Sequence, residues 1–299
     1  MKLIDEIRMS FIRAEGLFRL MFLNIVIFMI IGLVKVILYL AGNGDHFLML
    51  IIDKLAVKSS FLSLAHQPWS IITYMFVHEN FMHILFNMLI LFWTGKIFCE
   101  FLGSRKIVVT YILGGISGAL LYILAYNIFP VFSNAVELSK LIGASAGVIA
   151  VLVAIATLAP DYTIHLILFG PVRLKYVALF LVLLYLISIP DGNAGGNISH
   201  LGGAIFGFIY TSLLKKGSDI GLWLENLIDF IMKLFQPSQR IKIIHKSPFS
   251  NSKDVTKPSH PRQEVIDSIL DKISRSGYSS LSKEEKETLF KASKKQGKE

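Results

Sequence analysis

The chain has 299 residues, 54% of them apolar and only 17% charged, with 22 phenylalanines, a mean hydropathy of +0.60 and a formal net charge of +9. Soluble chains carry about a quarter charged residues, so this composition excludes a disordered chain, a collagen-like chain and a typical cytosolic enzyme. A single cysteine, Cys99, excludes a disulfide framework and a cysteine-built metal site. The basic residues, 17 of 30 of which follow residue 214, mostly flank apolar runs instead of gathering on a folded face. That is the pattern of a membrane protein and not of a nucleic-acid binder.

A membrane-crossing helix needs roughly 17 to 25 apolar residues, and six runs qualify: about 20–41, 80–98, 107–129, 141–159, 174–189 and 198–214. The first is too long for a cleavable leader, contains Lys35, whose amine is expected to snorkel to the interface, and lacks a small-residue cleavage pattern. Basic residues precede it (Lys2, Arg8, Arg13, Arg19) and follow span two (Lys96, Arg105, Lys106), span four (Arg173, Lys175) and span six. By the positive-inside rule both termini are expected in the cytoplasm.

The connection 42–79 mixes apolar runs with His46, Asp53 and His66 and is expected to lie in the outer interface as short helices. Beyond span six, Asp219–Phe235 reads as an amphipathic helix for the inner surface, with Trp223, Leu227, Phe230, Ile231 and Leu234 at helical spacing. Residues 236–262 are rich in Pro, Ser and Lys and read as a linker. Val265, Ile266, Ile269, Leu270 and Ile273 then mark a helix closed by Gly277, and Ser282-x-x-Glu285 is a capping box that opens another. The domains expected are therefore a cytoplasmic segment 1–19, a six-helix membrane domain 20–214, an amphipathic helix and linker 215–262, and a helical hairpin 263–299.

Polar side chains inside spans are costly and need a reason. His83 and Asn87 in span two, Ser145 in span four and His200 in span six all lie in the first turns of helices running in the same direction. With Ser145 four or five residues into its helix, it is expected on the order of 6–8 Å below the surface at 1.5 Å per residue. Gly143 and Gly147 bracket Ser145, while Gly203 and Gly207 share the His200 face. Missing side chains let spans four and six pack closely, bringing the Ser145 hydroxyl within reach of the His200 imidazole.

A serine beside a histidine is the minimum for nucleophilic catalysis, although no acid is placed to complete a triad. His83 and Asn87 can donate hydrogen bonds to an oxyanion together with the Ser145 amide. The same pair can clamp helices together. No metal is expected, because His78 and His83 are five residues apart and no carboxylate or thiolate completes a set with His200. His78, Glu79 and His165 read as structural.

At these residues the sequence resembles the rhomboid family of intramembrane serine proteases. The motifs are Gly143-Ala-Ser-Ala-Gly147, His83-Ile-Leu-Phe-Asn87 and Ser199-His-Leu-Gly-Gly-Ala-Ile-Phe-Gly207, and the resemblance covers roughly residues 15–215. Trp69, 14 residues before His83, matches a tryptophan of the family's first outer loop. There are three departures. Ser70 stands where the family has arginine, and Ile149 stands where many members carry an aromatic ring on the catalytic histidine. The acidic residue expected after span two is Glu100 or displaced.

The resemblance implies an all-α, polytopic bundle of six transmembrane helices with a small cytoplasmic helical tail. It implies an endopeptidase that cuts transmembrane protein substrates near the membrane edge, with Ser145 and His200 catalytic, His83 and Asn87 in the oxyanion hole and no cofactor. It also implies a side entrance near span five and the first loop. The 190–197 loop is expected to rim a polar cavity. The expected setting is a bacterial inner membrane, with the lipid bilayer as a partner, no nucleic acid, and a cytoplasmic partner or the inner leaflet for the C-terminal hairpin. A noncatalytic rhomboid-like client binder is the alternative. A transporter is disfavoured, because mid-membrane charges and internal repeats are lacking.

Overall fold

The computed structural model describes residues 15–42, 44–166, 170–235 and 263–296. The basic residues Lys2, Arg8 and Arg13 and the 236–262 linker lie outside the described residues. Contacts divide the chain into two units, residues 1–238 and 239–299.

Each of the six apolar runs forms a helix: α1 (Gly16–Leu40), then, after a structured connection, α5 (Phe81–Leu102), α6 (Ser104–Ile128), α7 (Ser145–Leu158), α8 (Leu174–Ile187) and α9 (Ala194–Lys215). By length and composition α1, α5 and α6 are able to cross a membrane, and the chain is an integral membrane protein. Helices α7 and α8, at 14 residues each, are shorter apolar helices.

The centre of the first unit is α7, buried at every residue from Ala146 to Ala156 and packed against α5, α6, α8 and α9. Its neighbours come close through glycine. A Cβ on Gly203 would lie 2.1 Å from the Ala146 carbonyl oxygen, and one on Gly207 would lie 2.3 Å from that of Ala150. On the α6 side, Cβ atoms on Gly114 and Gly118 would meet the Cβ atoms of Ala150 and Ala146 at 2.2 and 2.6 Å. Gly147 faces α6 as well, where a Cβ would meet the Tyr111 carbonyl oxygen at 2.6 Å. Gly203 and Gly207 therefore serve the α7–α9 contact, and Gly147 serves the α6–α7 contact.

The connection 42–79 is a compact set of short helices, α2 (Gly44–Leu55), α3 (Phe61–His66) and α4 (Ser70–Thr73), followed by a 3₁₀ turn at Tyr74–Phe76. Strand β1 (Val57–Lys58) pairs antiparallel with β2 (Lys140–Leu141), with Val57 opposite Leu141 and Lys58 opposite Lys140. Asp53 accepts from both lysines, at 2.6 Å from Lys58 and 2.7 Å from Lys140. The Asn127 amide donates to the Ser59 carbonyl and the Ser59 hydroxyl to that of Val136, each at 2.7 Å. The Trp69 indole donates to the Lys54 carbonyl at 2.9 Å. The strand pair, the Lys140 ion pair and the Ser59 bonds tie the connection to the end of α6 and to the segment leading into α7, while the Lys58 and Trp69 bonds are internal to it.

Three features correct the sequence reading. A second antiparallel pair, β3 (Thr163–Leu166) with β4 (Gly170–Arg173), joins α7 to α8, so the chain is mostly helical but not purely so. Helix α7 starts at Ser145 itself and not at about 141, because residues 140–141 are held in the strand pair and Gly143 turns the chain at φ +121°. Helix α9 starts at Ala194 instead of about 198, since the Asn193 side chain caps it by accepting from the Gly196 amide at 3.2 Å.

After α9, Asp219 accepts from Lys106 and, at 3.2 Å, from the Tyr210 hydroxyl, while Lys106 also reaches Glu225 at 3.0 Å. These ion pairs dock helix α10 (Leu222–Phe235) beside the start of α6, where Leu224 and Ile228 pack on Val109 and Tyr210. The residues expected as its apolar face, Trp223, Leu227, Phe230 and Ile231, point outward and are exposed. The helix is apolar on two sides, one for the protein and one for its surroundings.

In the second unit, α11 (Gln263–Ser276) ends at Gly277 with φ +76°, and α12 (Lys283–Gln296) follows. The capping box is formed: the Glu285 amide donates to the Ser282 hydroxyl at 3.2 Å, and the Ser282 amide donates to the Glu285 carboxylate at 2.7 Å. Lys272 bonds the same carboxylate at 2.9 Å, and Ile269 and Leu281 are buried.

Two outcomes follow from this packing. Gly203→Ala is expected to destabilise the protein by about 1–3 kcal/mol, as a backbone carbonyl cannot yield to a methyl group, and thermal unfolding in detergent measures it. Burial alone would raise the Asp53 pKa, but Lys140 and Lys58 outweigh it and hold the carboxyl below its ordinary 3.8. Its contribution is then complete above that value and lost as pH falls through the lower folded value. Asp53→Asn should lower the melting temperature at neutral pH, and the gap from wild type should close below pH 3.8.

Candidate active site

The segment that delivers Ser145 is fixed from below by Tyr74. The Tyr74 side chain is buried and donates through its hydroxyl to the Gly115 carbonyl of α6 at 2.6 Å, while its own carbonyl accepts from the Gly143 amide at 2.9 Å. Next to it, the Tyr111 hydroxyl donates to the Met75 carbonyl at 3.1 Å and accepts from the buried Asn24 amide of α1 at 3.2 Å. Gly115 makes room for Met75, whose Sδ would lie 1.9 Å from a Cβ there. The turn 74–76 is thus wedged into α6, and Gly143 hangs from it.

Gly143 has two reasons to be glycine. Its φ of +121° is in a region that L side chains rarely adopt, and a Cβ would come within 2.7 Å of His83 Nε2 and 3.7 Å of Ser145 Oγ. The sequence reading placed Gly143 on a helix face. In the structure it is a turn residue that admits the His83 ring.

Ser145, as the first residue of α7, presents its backbone N–H at the positive end of the helix, where no intrahelical acceptor exists. Its Oγ lies 2.6 Å from His200 Nε2, with both residues half-buried. With the imidazole proton on Nδ1, Nε2 accepts from the hydroxyl. His200 Nδ1 is buried and has no hydrogen-bond partner.

His83, in the first turn of α5, is held by Asn80, whose side chain accepts from the His83 amide at 2.9 Å. One turn on, the nearly buried Asn87 donates through Nδ2 to the His83 carbonyl at 2.9 Å. Behind them sits His78, 4% exposed, edge-on to the His83 ring at 5.1 Å between centroids and with both ring nitrogens unpartnered. All four predicted polar residues line one cavity of about 720 Å³, together with Glu79, Lys140, Asn193 and Tyr185. Phe86 and Ile90 of α5 form an apolar wall.

The sequence reading missed Tyr185. Ile149 is buried in the α7 core, and an aromatic ring reaches the histidine from α8: the Tyr185 and His200 ring centroids are 4.2 Å apart at an interplanar angle of 58°. A tyrosine in an apolar span carries no local signal of such a contact.

Residues 65–217 match the Rhomboid domain family model. The chain belongs to the rhomboid family. A similar protein is the RHOMBOID-like protein 12, mitochondrial, of Arabidopsis thaliana, 28% identical over 159 residues. The match covers 50% of this chain and 47% of that protein, so this rhomboid spans about half the length of the relative. Residues 258–295 match a second family model, a family of unknown function (DUF6576).

The position of Gly143 under the His83 ring makes a direct test. In Gly143→Ala the methyl group should push the ring away and distort the turn before Ser145. The expected result is a slowing of the reaction of Ser145 with a fluorophosphonate by up to about a hundredfold, what an angstrom of misplacement costs, in protein that still melts cooperatively.

Proposed function

We propose that this rhomboid is an intramembrane serine endopeptidase that hydrolyses a peptide bond in or near the transmembrane segment of a membrane-protein substrate. The observation that carries this reading is the 2.6 Å contact between Ser145 Oγ and His200 Nε2 inside a cavity of the membrane bundle. Ser145 attacks the carbonyl carbon as His200 Nε2 takes the hydroxyl proton. His200 then returns that proton to the leaving amine, and a water activated by the same base releases the acyl group. The oxyanion is held by the Ser145 amide, His83 and Asn87, with the N-terminus of α7 favouring negative charge there.

The cavity lining supports the substrate class. Glu79, Lys140 and Asn193 give water a polar approach, whereas Phe86 and Ile90 of α5 and Tyr185 of α8 suit an apolar segment entering between these two helices. A substrate helix must unwind at the cut, since helical carbonyls are already hydrogen-bonded. We read α1, α5, α6, α7, α8 and α9 as six spans. We read both termini as cytoplasmic from the Lys and Arg distribution, with the cavity facing outward and a bacterial inner membrane as the setting. The exposed apolar side of α10 fits the inner leaflet. The C-terminal helical unit fits recruitment of a cytoplasmic partner.

The test is cleavage of a generic transmembrane reporter in liposomes. Ser145→Ala and His200→Ala are each expected to abolish cleavage and fluorophosphonate labelling while the proteins stay folded. Asn87→Ala should lower kcat by about 10²-fold, the usual effect of losing one oxyanion donor. Cleavage that persists in Ser145→Ala would sink the mechanism. A folded wild type that neither cleaves nor labels would point to a noncatalytic client binder.

A further inference from the structure

His200 is held at one nitrogen only. Its Nε2 meets Ser145, but its buried Nδ1 finds no hydrogen-bond partner. A catalytic imidazole is commonly oriented by a third group that accepts from the far nitrogen. Without one, rotation about the side-chain bonds would swing Nε2 away from the serine, and only packing can resist it.

The packing comes from Tyr185. Its ring lies 4.2 Å from the imidazole, tilted at 58°, within the range in which aromatic rings attract one another. The Tyr185 hydroxyl makes no hydrogen bond among those of the described residues, so the ring is what the contact uses. Tyr185 also lines the cavity, and therefore touches both the histidine and the space a substrate would fill.

The helix that carries it is anchored at its other end. In α8 only Leu174 and Ala178 are buried, whereas Leu183, Leu184, Leu186 and Ile187, around Tyr185, are exposed. The imidazole is thus braced by a ring on the less buried half of a short helix.

We propose that Tyr185 is a positioning residue for His200: its ring fixes the imidazole plane so that Nε2 points at Ser145 Oγ, and the position of α8 thereby sets the reactivity of the serine. This rests on the Ser145–His200 reading above.

The experiment follows the rate of Ser145 labelling by a fluorophosphonate in liposome-reconstituted full-length protein, alongside kcat and KM for the reporter. In labelling, Ser145 Oγ forms a bond to phosphorus, His200 Nε2 takes the hydroxyl proton and fluoride leaves. The small probe needs no opening of α8. Tyr185→Leu is expected to slow both labelling and kcat by about tenfold or more, with KM within about twofold of wild type, and Tyr185→Phe should restore both rates to within about threefold.

Final labelling stoichiometry and melting temperature separate slower chemistry from a smaller folded fraction. If Tyr185→Leu does not fold, Tyr185→Met, of similar length but without a ring, takes its place with the same expectation. Wild-type labelling rates in the ring-less variant, or a Tyr185→Phe as slow as Tyr185→Leu, would overturn the proposal. Labelling or cleavage that survives Ser145→Ala would instead overturn the dyad reading on which it rests.

Discussion

The carbonyl oxygens of Ala146 and Ala150 occupy the space that side chains at positions 203 and 207 would need. Everything at the site depends on that intimacy. A hydrogen bond of 2.6 Å between residues 55 apart in sequence tolerates little error in the distance between α7 and α9. Because the contact is backbone to backbone, no flexible side chain lies between the two helices to absorb a shift. Gly114 and Gly118 extend the same device to α6, so three helices meet around alanine and glycine where a soluble protein would interdigitate leucines.

A second constraint acts at the start of α7. The strand pair between Val57–Lys58 and Lys140–Leu141, the Asp53 ion pairs and the Tyr74–Gly143 bond all converge on the five residues before Ser145. They place a helix N-terminus at Ser145, which lines the cavity. The connection 42–79, which precedes the bundle's second long helix, thus supports the site from outside it.

Much of this was legible in the sequence, and the parts that were not share a cause. Apolar runs mark the helices because lipid demands them, small residues at helical spacing betray the α7–α9 contact, and Ser282 with Glu285 announces its cap. Ser145 and His200 could be paired from depth, direction and the small residues beside them. The start of α7 was misjudged because Leu141 and Ile142 are as apolar as the helix that follows, and what stops the helix is a strand partner at residues 57–58. The two-sided packing of α10 depends on Val109 and Tyr210, more than a hundred and about a dozen residues away. Tyr185 escaped notice for the same reason: its role is defined by a neighbour on another helix, and no local pattern records that.

The complete burial of α7 between Ala146 and Ala156 has one further consequence. A helix in contact with lipid must match its apolar length to the bilayer or incur a cost for hydrophobic mismatch. Helix α7 has 14 residues, about 21 Å at 1.5 Å per residue, well short of the roughly 30 Å hydrocarbon core. Wrapped on all sides by protein, it is exempt from that rule. It is free to begin and end at a depth set by its protein neighbours, and changes in bilayer thickness reach Ser145 only through the helices around it.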